Sequence, residues 1–193
     1  ASAAGKNDPL HAAPLAAATW WRLPARPAAG VGFVAVDRFT ADHDAAWRAR
    51  SLEFPALLRR DSAYLNHFCA EFPDGGYRPE SIRRGDTTVG HLVTRCDRDA
   101  RGMNRGRIVD VLWPRGDAPL LAATLAHACA GLAAAGADYV ECLASVPDLQ
   151  EALAALRFVG RGAVPVWCRR LPEGVSPPST WHVTLLDCDR AWR

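Results

Sequence analysis

The sequence has no long apolar run, and this argues against a membrane-spanning helix. No stretch approaches the roughly 20 apolar residues that such a helix needs. The alanine-rich start also lacks the basic segment and long apolar stretch of a secretory signal. We therefore expect a cytoplasmic protein that does not bind a membrane.

Cysteine pairs, metal-ligand spacings and charge blocks are missing as well. The six cysteines never form a Cys-x-x-Cys pair, which fits buried, reduced thiols better than disulfides. The histidines show no ligand spacing, so we expect no metal site. Lys6 is the only lysine, the arginines are scattered and the net charge is +2. This balance argues against a nucleic-acid partner.

The composition that remains is that of a globular protein with an extension. The chain has 193 residues, of which 49% are hydrophobic and 23% charged, enough to bury a full core. Residues 1–30 are expected to form an N-terminal extension, with a proline-rich linker at 23–27. Residues 31–193 are expected to form the main domain. Trp20 and Trp21 in the extension need a surface on which to pack.

Apolar periodicity and turn residues predict an α+β fold. The predicted elements are a strand at 31–36, helices beginning at Asp42 and Asp61, strands at 77–83, 88–96 and 107–113, a helix at 118–135, a strand at 139–143, a helix at 147–156, and strands at 162–170 and 181–187. Short turns between the second, third and fourth strands indicate an antiparallel meander. A crossover helix before 139–143 favours a parallel neighbour for the fourth strand. We expect three layers, with a mixed, mostly antiparallel sheet flanked by helices.

Three segments resemble motifs of the GNAT superfamily of acyl-CoA N-acyltransferases. They are Asp110-Val111-Leu112-Trp113-Pro114, the run from Leu149 to Phe158, and Thr88-Val89-Gly90-His91-Leu92-Val93. In that family these positions correspond to the strand before the cofactor helix, the helix with its "GF" end, and the third strand. The element order over 31–193 is also similar to that of the family.

The resemblance implies an acyl-CoA donor, acetyl-CoA or another acyl-CoA, and a small-molecule amine acceptor. It also implies a wedge-shaped gap between the strands at 107–113 and 139–143. The backbone of Leu112 and Trp113 would pair with the pantetheine arm there, and Arg115 and Gly116 would meet the pyrophosphate.

The loop that should bind the pyrophosphate departs from the family pattern. The signature Arg/Gln-x-x-Gly-x-Gly/Ala is absent, and residues 114–119 read Pro-Arg-Gly-Asp-Ala-Pro. An Asp117 that caps the helix would occupy amides that phosphate oxygens need, and Pro119 removes a further donor. Arg157 also stands where the "GF" glycine is expected.

The first hypothesis is therefore acyl-CoA-dependent N-acyl transfer with a degenerate cofactor loop, and the second is a non-catalytic GNAT-like domain. Such a domain would support a second GNAT-like domain in a tandem protein, or a homodimer. The extension at 1–30, which begins with Ala1 and carries two neighbouring tryptophans, would then derive from the partner domain and its linker.

Asp110 is the strongest candidate for a catalytic group. In an apolar strand it could act as the general base for the amine, with a pKa raised by burial. The alternative is an outward-facing strand residue paired with an arginine such as Arg107 or Arg95.

Three other side chains have two interpretations each. Ser145 could donate a hydrogen bond to the leaving thiolate, or it could simply precede a helix. His91 and His182 could act as acid or base near neutral pH, or they could be hydrogen-bonded strand residues.

Overall fold

The computed structural model describes residues 30–71, 75–160 and 181–187. The elements are β1 (Val31–Ala35), α1 (Ala41–Ser51), α2 (Ser62–Ala70), β2 (Tyr77–Arg84), β3 (Thr87–Arg98), β4 (Asn104–Leu112), α3 (Ala118–Ala134), β5 (Tyr139–Cys142), α4 (Pro147–Ala155) and a 3-10 turn (Leu185–Asp187). The predicted extension (except Gly30) and the predicted strand at 162–170 lie outside the described residues. Within the described ranges, no helix is both long and apolar enough to cross a membrane.

The five strands form one mixed sheet in the order β1-β2-β3-β4-β5. Each pair from β1 to β4 is antiparallel, and β4 pairs with β5 in parallel. The predicted meander and the predicted parallel neighbour are both confirmed, since α3 provides the crossover that a parallel pair requires.

Apolar side chains from the two faces of the sheet form two clusters. Ile108 and Val111 pack with α3 and α4 in one cluster, whereas Val109 packs with residues of α2 in the other. The register between β3 and β4 shifts between Val93↔Asp110 and Thr94↔Ile108, so Val109 is an extra residue in β4. This β-bulge lets the neighbouring side chains of Val109 and Asp110 point to the same side of the sheet.

The helix ends follow local signals in the sequence. The Asp61 carboxylate accepts a hydrogen bond from the amide of Tyr64 at 2.9 Å and caps α2, as predicted. Gly136, with a φ of +84°, terminates α3, also as predicted. The predicted cap of α1 is wrong by two residues, because the extended Thr40 precedes the helix and Asp42 lies in its first turn.

The β3–β4 hairpin is longer than predicted. Asp99 accepts hydrogen bonds from the amides of Arg101 and Met103 at 2.9 and 3.0 Å. This side chain closes the turn within a few residues, so the strands pair out to Arg98↔Asn104. Residues 97–106, predicted as a loop between the two strands, are therefore half strand, because 97, 98 and 104–106 belong to β3 and β4.

The predicted strand at 181–187 is wrong. Within the described residues this segment makes a single parallel bridge, Leu57↔His182, and then a 3-10 turn. Two side chains bind backbone amides of this segment: Ser145 accepts from the amide of Val183, and Asp187 accepts from the amide of Thr184.

Candidate functional site

The strands β4 and β5 part at one end of the sheet. Their parallel pairing runs from Arg105↔Tyr139 to Ile108↔Cys142 and stops there. Strand β4 continues to Leu112, beyond the end of β5. Strand β4 therefore extends four residues, 109–112, past its last pairing with β5, and the space beside this extension is called the gap below.

Residues Trp181–Asp187, here called the closing segment, occupy this gap. On the β4 side, the imidazole Nε2 of His182 donates to the carbonyl of Val111 at 3.0 Å. On the β5 side, the Ser145 hydroxyl donates to the carbonyl of Trp181 and accepts from the amide of Val183 at 2.7 Å. The carbonyl of Val111 and the hydroxyl of Ser145 are thus already bound by the chain itself.

The structure locates the carbonyl of Leu112 and the indole of Trp113, two residues whose backbone is expected to bind pantetheine. A Cβ placed on Gly90 would lie 2.0 Å from the carbonyl oxygen of Leu112, so this carbonyl points towards β3 and away from the gap. The indole of Trp113 is fully buried, with ring centroids 5.6 Å from Phe54 and 5.4 Å from His182.

Asp110 lies at the centre of a buried network of polar side chains. Its carboxylate accepts from Arg60 Nε at 2.8 Å, from His91 Nε2 at 2.6 Å and from the hydroxyl of Thr184 at 2.6 Å. Arg60 also donates to the carboxylate of Asp187. Asp110 and Arg60 are each 1% exposed. The network joins β3 and β4 to the closing segment and to the start of α2.

The charge state of Asp110 differs from the expectation for an isolated buried acid. Burial alone would raise the pKa of Asp110, but the guanidinium of Arg60 and the hydrogen bonds from His91 and Thr184 outweigh it. The pKa of Asp110 is therefore held well below its usual range. The carboxylate is a fixed anion in a salt bridge and a weak proton acceptor at neutral pH.

The arginine that pairs with Asp110 is not one of the two considered from the sequence. Arg95 and Arg107 both form salt bridges with Asp97, at 3.1 and 2.9 Å. The actual partner, Arg60, is fifty positions from Asp110 in the chain. Its only local signal is a pair of arginines before the cap of α2, a pattern that equally fits an exposed turn.

Three buried histidines surround this network. His43 Nε2 donates to the carbonyl of Arg60 at 2.8 Å, and the rings of His43 and His91 are 5.0 Å apart. Within the described residues, the Nδ1 atoms of His43, His91 and His182 have no hydrogen-bond partner. Burial and the neighbouring His91 lower the pKa of His43 to about 4. Burial also lowers the pKa of His182. Both imidazoles are therefore neutral at pH 7.

The N-terminus of α3 is capped by its own chain. The Asp117 carboxylate accepts from the amide of Leu120 at 3.1 Å and forms a salt bridge with Arg84. Pro119 lies within the first turn and has no amide hydrogen. The predicted cap is confirmed, and it occupies donors that a phosphate group would need.

Arg115 is bound on both its backbone and its side chain. Its amide donates to the carboxylate of Glu53 at 2.7 Å, and its guanidinium donates to the carbonyl of Glu53 at 3.1 Å. The carboxylate of Asp148 lies 3.9 Å from Nε of Arg115. Gly116 makes the turn with a φ of +84°. Donors of this loop are thus already used within the chain, and the carboxylates around it are paired with arginines: Asp117 with Arg84, Glu53 with Arg50 and Asp148 with Arg115.

Arg157 has the backbone conformation expected of the glycine it replaces. Its φ is +63°, in the left-handed region that favours glycine. The amides of Arg157 and Phe158 close the end of α4 by donating to the carbonyls of Ala154 and Leu153. The end of α4 thus places a left-handed backbone conformation at position 157, where the sequence has arginine.

Within the ranges that the structure describes, no group of three or more His, Cys, Asp or Glu side chains could hold a metal ion. The four described cysteines are free thiols.

Comparisons with known proteins reveal one similarity, and it concerns the fold. No family model matches the chain, and no curated protein matches it. An aminoglycoside acetyltransferase, meta-AAC0020 from an uncultured soil metagenomic sample, is similar in its crystal structure with sisomicin. The similarity has a TM-score of 0.51 at 11% identity and covers 74% of this chain and 97% of that chain. The crystal structure of the same protein with trehalose has a TM-score of 0.49 at the same identity and coverage. The chain therefore has an α+β fold that matches that of an acetyltransferase.

Proposed function

We propose that this chain is a non-catalytic domain with an acetyltransferase fold, acting as the structural or partner-binding half of a tandem or dimeric acetyltransferase. The observation that carries the proposal is the hydrogen bond from the amide of Leu120 to the Asp117 carboxylate. It places a negative charge at the helix end where an acyl-CoA would bring its own negative charges.

Two further features support the proposal. The closing segment occupies the gap in which the pantetheine arm would lie, and it binds the carbonyl of Val111. Asp110 and Arg60, near the end of β4, are both buried and paired with each other. The residues present therefore do not fit an acyl-CoA at the place that the resemblance implies.

Calorimetric titration of the full chain with acetyl-CoA tests this proposal. We expect no saturable heat at millimolar acetyl-CoA for the unmodified chain or for Arg115→Ala. The matched control is Arg98→Ala, which removes an exposed arginine at the far end of β3. Saturable binding that Arg115→Ala abolishes and Arg98→Ala preserves would refute the proposal.

The second candidate is acyl-CoA-dependent N-acyl transfer to a small-molecule amine. It is favoured by the bulge in β4 and the parting of β4 from β5 in a sheet that matches an acetyltransferase. Under this candidate, Asp110 and Ser145 are the proposed catalytic residues, and Leu112, Trp113, Arg115 and Gly116 the proposed cofactor contacts. Because the similar acetyltransferase was crystallised with sisomicin, sisomicin is a suitable trial acceptor.

An assay for thiol release from acetyl-CoA in the presence of sisomicin decides between the candidates. Thiol release that depends on sisomicin and exceeds the rate without protein would establish the second candidate. No release above the rate without protein supports the first.

A further inference from the structure

The closing segment is held as a bound peptide would be. The amide of His182 donates to the carbonyl of Ala56 at 2.8 Å, next to the parallel bridge between Leu57 and His182. On the opposite side, Ser145 bonds to the carbonyl of Trp181 and the amide of Val183. The gap thus accepts an extended main chain from two sides, in the manner of an added strand.

Side-chain contacts add specificity to these main-chain contacts. The Thr184 hydroxyl donates to Asp110 at 2.6 Å and accepts from Arg60 Nη2 at 3.2 Å. Three positions later, the Asp187 carboxylate accepts from the same Arg60 nitrogen. The two residues between, Leu185 and Leu186, pack into the apolar cluster on this face.

Arg60 makes an acidic residue necessary at the last position. Its side chain is 1% exposed and is balanced by two carboxylates, of which only Asp110 belongs to the gap itself. Without a second carboxylate, one edge of the buried guanidinium would lose its ionic partner, at a substantial cost in free energy. A neutral residue in place of Asp187 should therefore bind poorly.

A partner's segment has to compete with the closing segment, which belongs to the same chain as the gap. Twenty residues, 161–180, separate the last described residue after α4 from Trp181, and a stretch of that length reaches at most about 70 Å. Binding within one chain does not depend on protein concentration, so a partner's segment has to be supplied in excess.

We propose that the gap between β4 and β5 is a peptide-binding groove, which the closing segment fills within its own chain. The same groove binds an extended segment of a partner chain, in which a residue with a hydroxyl group is followed three positions later by an acidic residue. This inference rests on the proposed partner-binding function and names the chemistry of the partner.

Fluorescence anisotropy with a labelled peptide, Trp-His-Val-Thr-Leu-Leu-Asp, tests the inference on the full chain. The unmodified chain is compared with Thr184→Ala/Asp187→Asn, in which the closing segment has lost both anchors. We expect this variant to bind the peptide at least tenfold more tightly than the unmodified chain does. A control peptide with the same two substitutions should bind the variant at least tenfold more weakly. Equal binding of both peptides, or no binding to a folded variant, would overturn the inference.

Hydrogen–deuterium exchange on the unmodified chain provides a second test that needs no variant. With excess peptide, the amides of the chain's own closing segment should exchange faster, while those of β2 and β3 should not change. Unchanged exchange in the closing segment at millimolar peptide would also overturn the inference. Neither experiment contains acetyl-CoA. If the peptide does not bind, the calorimetric titration with acetyl-CoA still tests the proposed function. If acetyl-CoA binds, the proposed function is refuted, but the measured peptide binding is unchanged.

Discussion

Arg60 and Asp110 form a salt bridge of 2.8 Å with both side chains 1% exposed. It joins the residue before the cap of α2 to the bulge of β4. Thr184 and Asp187 of the closing segment extend it by further hydrogen bonds to the same two side chains. Asp110, near the end of β4, is thus held in a buried network that includes the closing segment.

Replacing Arg60 should destabilise the chain strongly. Arg60→Met leaves the buried carboxylate of Asp110 without its main ionic partner, and the loss of one member of a buried pair costs about 3–5 kcal/mol. Denaturant unfolding measures the change in free energy. The control is Arg59→Met, whose salt bridge with Asp61 is largely exposed on the arginine side and should contribute less than about 1 kcal/mol. Equal losses for the two variants would contradict a buried network.

The free energy of unfolding should decrease as the pH is lowered from about 6.5 to about 4. Burial lowers the pKa of His43 from 6.5, its value in an unfolded chain, to about 4 in the folded chain. The unfolded chain therefore binds more protons between these two pH values. The stabilisation is complete above pH 6.5 and is lost as the pH falls through 4, by about 3 kcal/mol in total.

His43→Gln should flatten this pH dependence, whereas the control His67→Gln should not, because the side chain of His67 is 73% exposed. Some slope should remain in His43→Gln, since burial also lowers the pKa of His182. Urea unfolding at a series of pH values supplies the data. A slope that His43→Gln leaves intact would show that His43 is not the responsible group.

Gly90 should not tolerate a methyl group. An added Cβ would lie 2.0 Å from the carbonyl oxygen of Leu112, so Gly90→Ala must separate β3 from β4 at the edge of the gap. We expect a loss of at least about 2 kcal/mol. Gly32→Ala in β1 is the control, because no atom lies within 4 Å of its added Cβ, and it should change stability by less than about 1 kcal/mol. Thermal unfolding of the two variants gives the comparison.

Restoring glycine at position 157 should stabilise the chain. Arg157 has a φ of +63°, a conformation that costs a residue with a side chain about 1 kcal/mol relative to glycine. Arg157→Gly should therefore raise the free energy of unfolding by about that amount. Arg157→Ala removes the same charge but keeps the strain, so it should give no gain. A similar gain in both variants would indicate that charge, and not backbone conformation, is responsible.

The elements that the sequence predicts well are those controlled by neighbouring residues. The caps at Asp61 and Asp117 and the stop at Gly136 are local signals. The antiparallel meander and the parallel β5 follow from the turn lengths and the crossover helix, and the structure confirms both.

The features that the sequence does not predict depend on contacts between distant residues. Nothing near Arg60 indicates that it pairs with Asp110, because the two meet only when α2 packs on the sheet. The segment at 181–187 has the apolar pattern of a strand, but Ser145 and Asp187 bind the amides of Val183 and Thr184, and within the described residues the segment forms only one bridge, to Leu57. The bulge at Val109, which turns Asp110 towards Arg60, is likewise visible only in the pairing register.

The occupied gap is tested most directly by hydrogen–deuterium exchange of the unmodified chain with and without millimolar acetyl-CoA. We expect the closing segment, the end of β4 and the first turn of α3 to exchange at the same rate in both conditions, because their hydrogen-bonding groups are already bound within the chain. Faster exchange in the closing segment, together with slower exchange at 114–120 when acetyl-CoA is present, would show that the cofactor displaces the segment and would contradict the proposed function.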